Sequence, residues 1–328
     1  MANNVNSHYF HAEAHALTGN LILPFKEEIK KQAFVKLEGE LASLSDDERA
    51  QHNYFSQHAK NFRLEGIISY AGAHTQVSGH ASKKHDGASV TLATSVVEDL
   101  NVLNVVTADR VVAQISTTHY PGVQTPSVTF LGTHFENLRI ARHRAEPYLK
   151  LDVCDQKPGG ADAMHVDKGT GFMKAVEAQY GRLKTGLKGL LGEDLEKARF
   201  TGPDGSHTKK YHEFGLDYAD ISTQAKTANE TGKNWDGVTC SLVENVEIKD
   251  ISVKDATGES IQLKPPARSC GHVIHIPDFG TIFLAELTVN NNSYNLTMIR
   301  LELGCLADGT VSMAAANVNG KGGKGGGS

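Results

Sequence analysis

The residues best suited to chemistry lie in the segment HAEAH, which contains His11, Glu13 and His15. Alternate residues of a β-strand point to the same face, so a strand here would present all three side chains together. Two imidazoles and a carboxylate form a ligand set that zinc and non-haem iron use. The pattern therefore suggests a divalent-metal site, although same-face neighbours lie about 7 Å apart and rarely converge on one ion. The alternative is that these are ordinary surface or hydrogen-bonded histidines.

The segment CGHVIH contains a second group, Cys270, His272 and His275. A cysteine nucleophile needs a base within hydrogen-bond reach, and strand alternation would place Cys270 and His272 on one face. The sequence shows no third residue that would orient the base. Serine-hydrolase, phosphate-loop, dinucleotide-binding and zinc-protease motifs are also missing from the sequence. We therefore favour a protein that is not an enzyme and expect no cofactor beyond the hypothetical divalent metal.

One short phrase occurs three times, as VEDLNV at 97–102, FENLRI at 135–140 and VENVEI at 243–248. All copies lie in strand-like sequence, and Asn and Asp bond readily to local backbone. The phrase therefore predicts a β-bulge or bend, where a strand turns a corner of the fold. The functional alternative is an acidic metal site in which Glu98, Glu136 and Glu244 gather.

The segment with Asp162 and Asp167 lacks EF-hand spacing and is interpreted as a polar loop, with a weak calcium loop as the alternative.

The elements that must position these residues are mostly strands. Runs rich in Val, Ile and Thr, separated by turn residues, predict a mainly β fold: an antiparallel β-sandwich of jelly-roll or Greek-key type with a partly helical insertion. YNLTMIRLEL predicts a strand with Thr297, Ile299, Leu301 and Leu303 facing the core. The predicted organisation is a β-rich region over 1–154 with a short helix near 45–60, a loop and helix insertion over 155–236, a β-rich region over 237–318 that completes the sandwich, and a flexible Gly/Lys tail over 319–328.

Several segments occur in a familiar order. HAEAHALTGNLILP opens the chain, SVVEDLNVLNVVTADRVVAQIS and THFENLRI follow, and IPDFGTIFLAEL precedes NLTMIRLEL and VSMAAANV. This order resembles that of bacterial β-rich proteins labelled "choice-of-anchor" proteins. The resemblance implies a cell-surface or extracellular β protein with no established chemistry. The chain differs from that group by carrying the insertion over 155–236 and by lacking a signal peptide and an anchor segment.

Composition limits the partners. The chain has 328 residues, a net charge of −5 and 7% aromatic residues, without a dense basic patch, so nucleic acid is not an expected partner. No apolar stretch is long enough for a transmembrane helix. The N-terminus lacks the features of a secretory signal, which favours the cytoplasm, whereas the resemblance favours the cell surface. Cys154, Cys240, Cys270 and Cys305 match no metal motif and are expected to be mostly buried thiols, with disulfides as the alternative.

Three functions are compatible with these features. The first is a structural or interaction protein, a β-sandwich that self-associates or binds a protein or surface partner through strand edges and loops. The second is a binding module for a carbohydrate or small ligand, which the low aromatic content disfavours. The third is a metal-dependent enzyme that uses clustered histidines. We rank the three functions in this order.

Overall fold

The alternation of HAEAHALTGNLIL does form a strand, β1 (Tyr9–Leu23), in which buried Ala12 and Ala14 alternate with more exposed neighbours. The computed structural model describes residues 8–40, 53–82, 88–123, 125–153, 171–191, 238–254, 256–290, 293–304 and 308–319. Strands dominate these ranges and form two antiparallel sheets that pack against each other. The predicted mainly β sandwich is therefore confirmed.

Sheet A contains the first three strands and the last strands of the described chain. Besides β1, its strands are β2 (Glu27–Gln32), β3 (Val35–Glu40), β12 (Val238–Ser241), β16 (Arg268–Cys270), β17 (Val273–Ile276), β18 (Gly280–Val289), β19 (Ser293–Gly304) and β20 (Asp308–Asn319). Their hydrogen-bonded order is β16-β17-β18-β19-β20-β1-β2, with β12 paired to β18 and β3 paired to β1.

Sheet B is built mainly from the intervening part of the chain. Its strands are β4 (Tyr54–Leu64), β5 (Ile68–Ala81), β6 (Ser89–Val102), β7 (Val106–His119), β8 (Ser127–Thr129), β9 (His134–Glu136), β10 (Arg139–Ile140), β11 (His143–Leu149) and β13 (Val243–Ile248). Their hydrogen-bonded order is β13-β11-β10-β7-β6-β5-β4, with β8 and β9 paired to β7.

The two β-rich regions share one hydrophobic core, which includes Leu17 of β1, Ile115 of β7 and Leu301 of β19. The chain passes from one sheet to the other at Leu242. Its N–H donates to Ala285 O in sheet A (2.9 Å), and its carbonyl accepts from Lys150 N beside sheet B (2.7 Å). The two regions therefore form one sandwich.

Two elements lie outside the sheets. Helix α1 (Gly171–Leu191) falls within the predicted insertion and is one helix in spite of its internal glycines. The rest of 155–236 and the tail after residue 319 lie outside the described residues. A separate two-stranded sheet is formed by β14 (Ile251–Lys254) and β15 (Ser260–Leu263).

The helix predicted near 45–60 is wrong where the structure describes it. Residues 54–60 belong to β4, which pairs with β5 from Tyr54 to Leu64, while residues 45–52 lie outside the described ranges. The Ser cap and acidic first turn in SDDER favoured a helix, but the ladder with β5 supplies the backbone hydrogen bonds that override such local preferences.

The repeated phrase marks irregular strand pairing, as predicted. Asp99 has a φ of 52° and is skipped in the pairing of β6 with β7; Asn137 has a φ of 48° between β9 and β10. In the third copy, the pairing of β11 with β13 shifts around Glu244. Asn137 Nδ2 also donates to Asp109 Oδ2 (2.6 Å), which ties neighbouring irregular positions together. The phrase is therefore structural.

Sheet A has its own line of irregular positions, which includes Ala285 (φ 48°) and Ala314 (φ 50°) and continues to Ala33 (φ 45°) beside β1. Bulges leave backbone groups outside the ladder. Hydroxyl groups from the inner face of sheet B reach carbonyls along this line: Thr75 Oγ1 donates to Ala33 O (2.5 Å), and Ser95 Oγ donates to His15 O (2.9 Å). These bonds join the sheets across the core.

Replacing Thr75 by Val tests this link. Thr75→Val keeps the side-chain shape but removes the donor to Ala33 O, so we expect the free energy of unfolding to fall by about 1–2 kcal/mol. Thr117→Val is the matched control, because Thr117 is equally buried and its hydroxyl has no hydrogen-bond partner among the described residues. That variant should be neutral or slightly more stable. Urea denaturation measures both, and equal losses would contradict the assignment.

Candidate interaction surfaces

The predicted metal ligands His11, Glu13 and His15 do share one face of β1, but their surroundings are basic. The Glu13 carboxylate lies 3.2 Å from Lys31 Nζ and 3.7 Å from Lys36 Nζ, while His11 Nε2 lies 3.7 Å from Glu13 Oε1. Burial, with the charge of Lys31, lowers the pKa of His15 to about 4 in spite of Glu13. Two ammonium groups beside the carboxylate oppose binding of a cation. The metal site stays a prediction that these contacts do not favour.

The prediction from strand alternation that Cys270 and His272 share one face is wrong. Cys270 ends β16, and Gly271 and His272 form the turn into β17, so the two residues do not share a strand face. Cys270 Sγ lies 3.9 Å from Arg182 O of α1, and burial raises the pKa of its thiol. A raised pKa disfavours the thiolate that a nucleophile requires. His275 Nδ1 lies 3.3 Å from Thr281 Oγ1.

The other described cysteine is a core residue. Cys240 is a free, fully buried thiol whose pKa is raised to about 12 by burial and by Glu286. Cys270 is also a free thiol, and Cys154 and Cys305 lie outside the described residues.

The three glutamates of the repeated phrase are each placed beside an arginine. Glu98 and Glu136 lie on either side of Arg110 in the strand register, whereas Glu244 Oε1 lies 4.0 Å from Arg182. Within the described ranges, no group of three or more His, Cys, Asp or Glu residues has an arrangement that would hold a metal ion. Asp162 and Asp167 lie outside those ranges.

A buried ion-pair network that sequence reasoning missed crosses β18 and β19. Arg300 Nε and Nη2 donate to the two carboxylate oxygens of Glu286 (2.5 and 2.8 Å), Nη1 pairs with Glu302, and the guanidinium lies 3.7 Å from the ring centre of Phe283. Burial opposes the charge of Arg300, but the two carboxylates outweigh it and raise its pKa. Such a bidentate pair fixes β18 and β19 relative to each other, because its two parallel hydrogen bonds constrain both side chains.

One side of the sandwich, which we name the sealed side, is closed by α1. Gln179 Nε2 donates to Ser241 O (3.1 Å), and Ser241 N donates to Gln179 Oε1 (2.8 Å), so one side-chain amide occupies the outward backbone groups of β12. Tyr180 Oη donates to Thr239 O of the same strand (2.7 Å). The helix therefore takes the position that an additional strand would occupy.

The opposite side, which we name the open side, is formed by β2, β3 and β4. Among the described residues, β2 and β3 pair only with β1, and β4 pairs only with β5. Gly79 N donates to Asn53 O (2.9 Å), and the antiparallel alternation that follows directs the backbone N–H and C=O of Tyr54, Ser56, His58 and Lys60 away from β5. No strand among the described residues pairs with this outward backbone row along 54–60.

The open side also exposes aromatic surface. Phe34, at the junction of β2 and β3, is 38% exposed, and Tyr54 and Phe55 of β4 are 49% and 37% exposed. Lys31 Nζ lies 4.5 Å from the Phe34 ring centre. On the outer face of sheet B, His58 stacks on His74 with ring centres 4.4 Å apart.

The hairpin of β14 and β15 is the second exposed apolar feature. Ile251 pairs with Leu263 and Val253 with Ile261, so all four aliphatic side chains share one face. Val253, Ile261 and Leu263 are 37%, 45% and 43% exposed. The other face carries Ser252, Lys254, Ser260 and Gln262.

Comparison with known proteins assigns the chain to a protein family. The sequence profile of the family described as Domain of unknown function (DUF8256) matches residues 8–290, which is most of the chain. The chain belongs to this family. The DUF8256 match includes the open side, α1 and the hairpin, whereas β19 and β20 lie beyond it. No curated protein and no solved structure matches the chain. The resemblance to choice-of-anchor proteins stays a prediction.

No helix in the part of this DUF8256 chain that the structure describes has the length and hydrophobicity needed to cross a bilayer.

Removing the Gln179 amide tests how the sealed side is closed. Gln179→Ala leaves the N–H and C=O of the buried Ser241 unsatisfied, so we expect a loss of about 1–3 kcal/mol in the free energy of unfolding. Glu177→Ala, on the exposed face of the same helix, is the control and should change little. Denaturant unfolding compares the two variants. Unchanged stability of Gln179→Ala would show that the amide does not support β12.

Acid should destabilise the fold through three histidines. Burial, as the largest cause, lowers the pKa of His8, His15 and His272 to about 4 in the folded chain. An unfolded histidine has a pKa of about 6.5, so the unfolded state binds more protons between the two values. The free energy of unfolding should therefore fall as the pH drops below about 6.5 towards 4, and be fully retained above 6.5.

Urea unfolding between about pH 5 and 6.5 measures the effect, because most carboxylates stay ionised over that interval. These three histidines should take up protons on unfolding, and His15→Gln should lower the uptake by close to one proton per molecule near pH 5. If the free energy of unfolding of His15→Gln depended on pH as strongly as that of the parent protein, the role of His15 would be contradicted.

Proposed function

We propose that this protein is an interaction protein that self-associates by adding a strand of a second copy to the open edge of β4. The observation that carries the proposal is the contrast between the two sides of the sandwich. A side-chain amide covers the outward backbone of β12, whereas the outward backbone row of β4 has no partner strand among the described residues. Unpaired edges of this kind are templates for strand addition.

The residues of β4 favour a short contact with one added strand over uncontrolled aggregation. Lys60 and Arg63 are charged, and the pairing with β5 skips Asn61, so the regular part of the edge is Tyr54 to Lys60. Charges and bulges on edge strands limit uncontrolled aggregation. Exposed Tyr54 and Phe55 lie at the uncharged end, where an added strand would bury them. The proposed contact is therefore short and specific.

A proline at Ser56 tests the edge directly. Ser56→Pro removes an N–H that points away from β5, so the ladder inside the protein is retained while an added strand meets the proline ring. We expect self-association to weaken by about tenfold or more, since losing roughly 1.4 kcal/mol has that effect. Ser56→Ala, which keeps the N–H, is the matched control.

Light scattering and sedimentation over a range of protein concentrations measure this association. The parent protein and Ser56→Ala should assemble as concentration rises, and Ser56→Pro should remain monomeric under the same conditions. A parent protein that is monomeric throughout, or a Ser56→Pro variant that assembles like the parent, would contradict the proposal.

A further inference from the structure

The β14–β15 hairpin is an exposed amphipathic arm held firmly at its base. Lys249 N donates to Arg144 O (2.9 Å), and His143 Nδ1 lies 2.9 Å from Lys249 O, so both backbone groups of Lys249, two residues before the arm, are bound to β11. Ala267, just after the arm, is buried. An isolated two-stranded hairpin with a solvated apolar face has little stability of its own. Such a face marks a contact surface.

The open side of a second copy has the matching pattern. The inner face of β4 carries Phe55, Gln57 and Ala59, and its outer face carries Tyr54, Ser56, His58 and Lys60. A hairpin added beside β4 would place its four aliphatic residues next to Phe55 and Phe34. Its polar residues would then extend the outer polar face. Matching apolar and polar faces is what sets the register of an added strand.

The positions of the two surfaces point to a second copy. The arm follows β13, at one end of the strand order of sheet B, and β4 is the strand at the other end. The arm of one copy therefore cannot occupy the open side of the same copy. A contact between different surfaces of identical chains repeats from copy to copy.

We propose that the β14–β15 arm of one molecule docks on the open side of the next, with β15 beside β4, so that the protein assembles head to tail. This inference rests on the proposed function and names the part of the second copy that fills the edge. The aliphatic face of the arm becomes part of the neighbour's core, and each molecule uses one arm and one open side.

Complementation between two defective variants tests the proposal. Variant one carries Val253→Ser, Ile261→Ser and Leu263→Ser, which disable the arm; variant two carries Ser56→Pro, which disables the edge. The arm residues lie outside the described hydrophobic core, so variant one should keep the parent melting temperature. Ser252→Ala with Gln262→Ala, on the polar face of the arm, is the control and should assemble like the parent.

Sedimentation should show each variant alone as a monomer and their equimolar mixture as dimers that do not grow further, because the mixture contains one intact arm and one intact edge per dimer. If variant one assembles like the parent while Ser56→Pro does not, the head-to-tail inference is overturned and β4 addition stands. If Ser56→Pro assembles, or the parent never does, both proposals fail. Binding of the parent, but not of variant one, to neutral phosphatidylcholine vesicles, without self-association, would assign the arm to a lipid surface and overturn the inference.

Discussion

The need to satisfy backbone N–H and C=O groups at the borders of the two sheets governs this structure. Inside the sheets the ladders meet that need. Where irregular pairing in sheet A leaves carbonyls outside the ladder, Thr75 and Ser95 of sheet B supply hydroxyl donors. Where β12 forms a border, the Gln179 amide replaces a neighbouring strand. The open edge of β4, like the outer edges of β2 and β3, has no partner strand among the described residues, and the proposed contact lies there.

The buried charged and titratable side chains of the sandwich are arranged so that they can be packed inside it. The Arg300 network is fully paired, which offsets the cost of burying its charges. His272 lies near this network and is kept neutral at physiological pH, as are His8 and His15. Cys240 is a protonated core thiol. The residue types that suggested metal or nucleophile chemistry are thus held in surroundings that suit a stable sandwich.

Local patterns anticipated a large part of the fold. The alternation in β1 and the Asn or Asp residues at Asp99 and Asn137 indicated a strand and its bends from neighbouring residues alone. In β19, Ile299, Leu301 and Leu303 are buried as predicted, whereas Thr297 is only partly buried and Leu296 joins the core, because the pairing around Met298 is irregular. The prediction of a helix near 45–60 was wrong because its capping signal depends on neighbouring residues. The competing ladder with β5 depends on residues that are distant in the sequence.

The sequence by itself determined the class of fold, the strand periodicity and the places where strands bend, because each depends on residues a few positions apart. Only the tertiary structure decided which edges are covered and which apolar faces stay exposed. Gln179 meets Ser241 although the two residues are 62 positions apart in the sequence, and β1 lies between β20 and β3 although they are at opposite ends of the chain. Coverage of an edge depends on such long-range contacts, for which no local pattern of residues exists.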